Sequence, residues 1–183
     1  MKVAVCDYGA GNVRSVLAAL GRIGVRGEAT ADADVVAAAD VAILPGVGSA
    51  RSAMAELRRT GVADALRTRT GLTLGICLGL QLALERSDED GGVDGLGLLP
   101  GRATRLAEGR VPRIGWADVD WGGAPAATYW FAHGYAAETP AVTAVSEGIV
   151  AEARGEGFVG CQFHPERSGP AGLHYLERCL SLA

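Results

Sequence analysis

The stretch "LTLGICLGLQLALE", Leu72 to Glu85, decides how the chain folds. Its first six residues form a short continuous apolar run, as in a strand buried on both faces, and the run after Cys77 reads as a helix over 79–86. Gly75-Ile76-Cys77-Leu78-Gly79 has the G-x-nucleophile-x-G form of an elbow, where a strand turns abruptly into a helix and holds its central side chain out at the strand's carboxyl end. Glycines flank the thiol because such a turn crowds out side chains there. The helix that starts at the elbow offers free N–H groups and partial positive charge, which favour a thiolate. A glycine-rich core strand would also hold a buried structural cysteine. The strand before it, the helix after it, and a place where parallel sheets bind ligands make Cys77 a candidate nucleophile instead.

Working outward from that turn, the first half repeats a strand-then-helix unit. "KVAVC" at 2–6 is followed by Val13, Val16, Leu17 and Leu20 at helical spacing, with Asn12 placed to cap the helix. "VAILPG" at 41–46 precedes a helical stretch at 50–59. Repeated units of this kind predict a parallel sheet with crossover helices. From Gly95 onward the pattern changes to short strands punctuated by glycine and proline: "GLGLLPG", "VPRIGW", "ATYWFAHGY", "AVTAVSEG" and "GFVGCQFHPE". This half should be largely antiparallel, with a closing helix at about 170–181 behind Pro170. The segment "RSDEDGGVDG" at 86–95 reads as a mobile surface loop. The expected fold is therefore α/β, a single domain over 1–183, with a central mixed but largely parallel sheet and flanking helices.

Composition narrows the function. A chain of 183 residues suits one domain with a sizeable core, and a formal net charge of −4 argues against a broad nucleic-acid surface. No apolar run is long enough to span a membrane. "MKVAVCDYGAGN" passes from strand to glycines with no signal-peptide pattern. Cys6, Cys77, Cys161 and Cys179 lie far apart with no C-x-x-C pair, so the expectation is a cytosolic chain with free thiols, no metal and no cofactor.

A cysteine nucleophile needs a base, and the chain has three histidines. His164 is followed by Pro165 and Glu166; in an extended segment Glu166 shares its face and can fix its tautomer, completing a Cys-His-acid arrangement. His174 could pair with Glu177 on a helix but sits at the flank of an apolar stripe. His133, in an aromatic strand, reads as structural or at a pocket rim. The turn "LPGVGSA" at 44–50 can bring a backbone N–H near Val47 to a ligand oxygen, and with the N–H of Leu78 this makes a two-donor oxyanion hole. "YGAGN" at 8–12 suggests a dinucleotide loop but has Arg14 where the third glycine belongs.

Through "GICLGLQ", "FHPE" and "PGVG" the chain resembles the triad-type (class I) glutamine amidotransferases. "DYGAGN", "LPGVG", "GLGLLPG", "VPRIGW", "WFAHGY" and "CQFHPERSG" resemble, in order and spacing, the family of glutaminase subunits of imidazole glycerol phosphate synthase. The resemblance covers nearly the whole chain. It implies a flavodoxin-like fold, glutamine as substrate, and a heterodimer with a (βα)8-barrel cyclase that makes imidazole glycerol phosphate and AICAR in histidine biosynthesis. By the same resemblance Cys77 attacks glutamine, His164 moves protons and Glu166 orients it, while Gly48, Gln81, Gly134 and Tyr135 line the substrate pocket. The chain departs from the family pattern at Arg113, Ile114, Ala132, Gly134 and Arg167. The competing readings are an amidotransferase of another pathway, such as pyridoxal phosphate synthesis, and a non-catalytic regulatory subunit.

Overall fold

The computed structural model describes residues 1–9, 11–107, 109, 111–123 and 126–183. Ala10, inside the "YGAGN" turn, lies outside the described residues.

The first half is a set of strand–helix units. β1 (Val3–Cys6), α1 (Val13–Arg22), β2 (Gly27–Thr30), α2 (Ala33–Ala38), β3 (Val41–Gly46), α3 (Ala50–Arg59), α4 (Val62–Thr68), β4 (Leu72–Cys77) and α5 (Leu78–Ala83) follow in order. Two short strands, β5 (Arg86–Ser87) and β6 (Val93–Asp94), come next, then β7 (Arg102–Arg105), β8 (Arg113–Val119), β9 (Ala127–His133) and β10 (Tyr135–Glu138). β11 (Val142–Ser146), β12 (Ile149–Gly155), β13 (Phe158–Cys161) and α6 (Gly169–Leu180) complete the chain.

Among the described residues the main sheet has seven strands in the order β11-β12-β13-β4-β3-β1-β2. β2, β1, β3, β4 and β13 run parallel, and β12 and β11 add antiparallel pairs at one edge. The sheet is thus mixed and largely parallel, as the sequence predicts. β3 and β4 are buried along their whole length because helices cover both faces. Alternation sorts the side chains: Val3, Val5, Val41 and Ile43 face α1 and α6, while Ala4, Cys6, Ala42 and Leu44 face α2 to α5. β10, β7, β5 and β6 form a second sheet, and β8 pairs with β9 in a two-stranded arm.

Three expectations change. The helix after the elbow ends at Ala83 rather than 86, because "GLGLLPG" is no strand: Leu96 N donates to Leu82 O, Leu98 and Leu99 N to Ala83 O, and Gly97 N to Leu84 O. Those donors satisfy the carbonyls a helix end leaves open and stop it there. Gly95 permits the approach, since a Cβ would run into Leu84 O. The expected surface loop at 86–95 forms β5, β6 and a one-turn 3-10 helix. It is tied to α3 by Glu89, which accepts from Ala50 N at 2.7 Å, and by Arg51, which donates to Asp90 O. Asn12 does occupy the N-cap of α1 but makes no side-chain cap bond; its amide points elsewhere.

Candidate active site

The elbow is strained backbone. Cys77 sits at φ 53°, ψ -104°, and its side chain is buried. A non-glycine residue holds such a conformation only at a cost of roughly 1–3 kcal/mol. The flanking glycines are steric necessities. A Cβ on Gly79 would run into Leu44 O, and one on Gly75 would stand 2.8 Å from the Phe158 ring. Because α5 is only six residues long, its macrodipole is short, and the local N–H groups carry most of what it can offer an anion.

β13 pairs parallel to β4 with Cys161 opposite Ile76, so the three residues after β13 carry His164 to the level of Cys77. Backbone bonds hold it there. His164 N donates to Trp130 O at 2.8 Å, Ser168 Oγ donates to His164 O at 2.6 Å, and Trp130 N donates to Ser168 Oγ at 2.9 Å. α6 presses on the same turn through Gly172, where a Cβ would run into Pro165 O. His164 itself is extended, as a residue before proline should be, but Pro165–Arg167 form a 3-10 turn. Glu166 therefore reaches back around a turn and not along a strand. Its Oε1 lies 2.8 Å from His164 Nδ1, and Asn12 Nδ2 donates to that same oxygen at 3.4 Å. Burial opposes charge on the His164 ring, but hydrogen bonding and attraction from Cys77 and Glu166 prevail and raise its pKa to about 10.

In front of Cys77 is a small pocket of about 130 Å³ lined by Gly46, Val47, Gly48, Leu78, Gln81, Glu89, Ala132, His133, Gly134 and Tyr135. The structure thus gathers Cys77 and every residue the sequence assigns to oxyanion or substrate binding around one cavity, with His164 and Glu166 behind the sulfur. Val47 is half exposed, on a loop whose Gly48 has φ +99°. Tyr8 anchors that loop by donating to Pro45 O. Gln81 uses its amide nitrogen on Tyr135 O at 2.7 Å and on Gln162 Oε1 at 3.1 Å.

Sequence reasoning missed four of these residues. Gln162 was within its reach, since it precedes His164 by two and so shares its face near the strand end. Glu89 sits in a loop of acidic residues with no period to single it out. Asn12 reads from the sequence as a helix cap, and Tyr8 only as part of a turn.

His133 lines the pocket, and its Nδ1 lies 2.9 Å from Tyr135 O. Burial depresses its pKa to about 4, with the bond to Tyr135 O opposing and Arg113 and His164 adding. The folded imidazole stays neutral while the unfolded one takes up a proton below the ordinary value of 6.5. His133 is therefore neutral to stability above pH 6.5, the ordinary value. As the pH falls from there toward the folded value, it costs about 1.4 kcal/mol per pH unit. Urea titrations of the native chain and His133→Gln at a series of pH values should show a shallower acid decline in the variant; parallel declines would remove His133 as the cause.

The remaining thiols and His174 stand apart. Cys6 and Cys179 are fully enclosed, and burial pushes their thiols up to about 12 and about 11; Cys161 is pushed well above its ordinary range for the same reason. His174 is exposed on α6, 3.7 Å from Glu177.

A family model described as glutamine amidotransferase class-I matches residues 4–182. The imidazole glycerol phosphate synthase subunit HisH of Moorella thermoacetica is 43% identical, covering 96% of this chain and 92% of its own. The HisH subunit of Streptococcus sanguinis is 41% identical, covering 95% and 93%. A crystal structure titled as a glutamine amidotransferase superposes with a TM-score of 0.85 at 22% identity, covering 100% of this chain and 98% of its own, and so shares the fold.

Proposed function

This chain belongs to the glutamine amidotransferase class-I family, and from that premise we propose that it is the glutaminase subunit of an imidazole glycerol phosphate synthase. The observation that carries the reading is the placement of Cys77 on a pocket of about 130 Å³, with the bonded pair His164 and Glu166 behind its sulfur.

In this reading the Cys77 sulfur attacks the side-chain carbonyl carbon of glutamine. The carbonyl oxygen becomes an oxyanion that the Leu78 N–H and an N–H near Val47 receive. As the C–N bond breaks, the proton on His164 passes to the leaving nitrogen, and ammonia departs from a thioester. Water, losing a proton to His164, then hydrolyses the thioester to glutamate and restores the thiol. Glu166 keeps the ring oriented throughout. Among the groups that line the pocket with Gln81, the Glu89 carboxylate suits the α-ammonium. The backbone of Gly134 and Tyr135 meets the α-carboxylate, as the family resemblance implies. No step calls for a metal or cofactor.

The partner is a (βα)8-barrel cyclase. Ile114 and Trp116 project from β8 at 63% and 56% exposure. Two large apolar side chains side by side are a costly display for an isolated surface. Trp116 pairs with Trp130 across the β8–β9 arm, edge to face at 5.7 Å, and Ile114 pairs with Ala132, whose carbonyl lies 3.8 Å from the Cys77 sulfur. The apolar face therefore begins one strand away from where ammonia is released. Handing ammonia over directly keeps it from being protonated in bulk water.

The test is coupling. With glutamine alone the isolated chain should be slow, and the complex with cyclase ligand faster by about 100-fold, the scale of one oxyanion donor brought into place. Gly48→Ala, at a positive φ with open space around it, should alter the ratio of coupled to uncoupled turnover. Gly46→Ala is the poorer probe, because its Cβ would crowd Leu78 and Tyr8. The coupling idea is falsified if the isolated chain matches the ligand-bound complex, and glutamate formation by neither would sink the glutaminase assignment.

A further inference from the structure

Behind the pocket, hydrogen bonds run from the substrate side to the nucleophile, and their directions follow from chemistry. A carbonyl can only accept. The Gln81 nitrogen therefore donates to the Tyr135 carbonyl at 2.7 Å, and so does His133 Nδ1 at 2.9 Å. The same Gln81 nitrogen lies 3.1 Å from Gln162, which must present its oxygen there. Gln162 is then obliged to turn its own Nε2 toward Cys77, 3.5 Å from the sulfur. Its side chain is fully buried, so no solvent competes for that donor.

We propose that Gln162 is a further catalytic residue: its side-chain N–H holds the negative charge of the Cys77 thiolate, and Gln81 and Tyr135 lock it in the orientation that does so. This rests on the glutaminase reading for its purpose, but its geometry concerns the sulfur alone. A donor to an anion in a dry site is stronger than one in water, and it raises the population of the attacking form before substrate arrives. The donor is distinct from the oxyanion hole, which meets the carbonyl oxygen. Because Gln81 faces the pocket and touches both Tyr135 and Gln162, a ligand that orders Gln81 also steadies the donor.

Alkylation separates this role from packing. Iodoacetamide forms an S–C bond at Cys77 with loss of iodide and needs no glutamine. In the full chain, Gln162→Met should slow alkylation at Cys77, followed by mass spectrometry at neutral pH, by about tenfold, as loss of a hydrogen bond to a charged group implies. The deficit should shrink as pH rises, and kcat for glutamine should fall with little change in KM. Gln162→Asn, which keeps the amide but withdraws it by one methylene, should show the same slowing and stands in if the methionine variant misfolds. Alkylation of both variants at the native rate across the pH range, or a loss confined to KM, overturns the proposal. Slowed alkylation in a chain that never hydrolyses glutamine would support the donor and sink the glutaminase reading alone.

Discussion

Cys77→Ser removes glutamine-dependent synthesis by the complex, by about 10^4-fold or more, and leaves synthesis from added ammonia largely intact. The size of the loss follows from the site. A serine hydroxyl keeps the strained elbow and the pocket but ionises far less readily than a thiol, and no other described thiol lines the cavity. Cys6, Cys161 and Cys179 cannot substitute, being enclosed in the core with burial raising each thiol's pKa. Ammonia-dependent synthesis survives because it needs only the partner's chemistry. Mass spectrometry after treatment with a thiol-alkylating glutamine analogue provides the check, with Cys77 labelled first. Labelling mainly at Cys161, or equal loss of both activities in the variant, would count against the assignment.

His164→Ala should cost about 10^3-fold or more in kcat, and Glu166→Gln should be milder by a factor on the order of 10 to 100. In the proposed mechanism the base moves protons twice per turnover, and no other described imidazole is bonded to the sulfur. The acid in that mechanism only orients it, and the geometry gives a reason why a glutamine could partly replace it. Asn12 Nδ2 needs an acceptor at the position of Glu166 Oε1. A glutamine at 166 would therefore set its oxygen there, where His164 Nδ1 can still donate, and the productive tautomer is kept. Asn12→Leu combined with Glu166→Gln should lose that guidance and fall well below the single variant in steady-state assays. His174→Ala should be silent; a loss as large as that of His164→Ala would move the base to α6.

Much of this site was legible because strong local rules wrote it. An apolar run ending in G-x-C-x-G allows little besides an elbow, and a histidine before proline is driven to extended backbone. The spacing of apolar residues gave the parallel sheet for the same reason. Other parts were hidden by length or by context. α2 and α4 are six and seven residues long, too short to display a period, and β2 has few apolar residues because it is an edge strand. "GLGLLPG" looks like a strand in isolation; only the open carbonyls of α5 explain why its N–H groups go to a helix end. Glu89 reaches the pocket through a tertiary contact with Ala50, which no one-dimensional pattern encodes. Asn12 had the right position for a cap, yet the carboxylate on a distant segment outcompeted its own helix.

The backbone at Cys77 also bears on the stability of the fold. Its φ is 53°, which a glycine would take with no steric objection. The variant Cys77→Gly should therefore fold more stably than the native chain by about 1 kcal/mol, while being inert. An elbow that holds a thiol at this angle gives up stability for the reach of its sulfur.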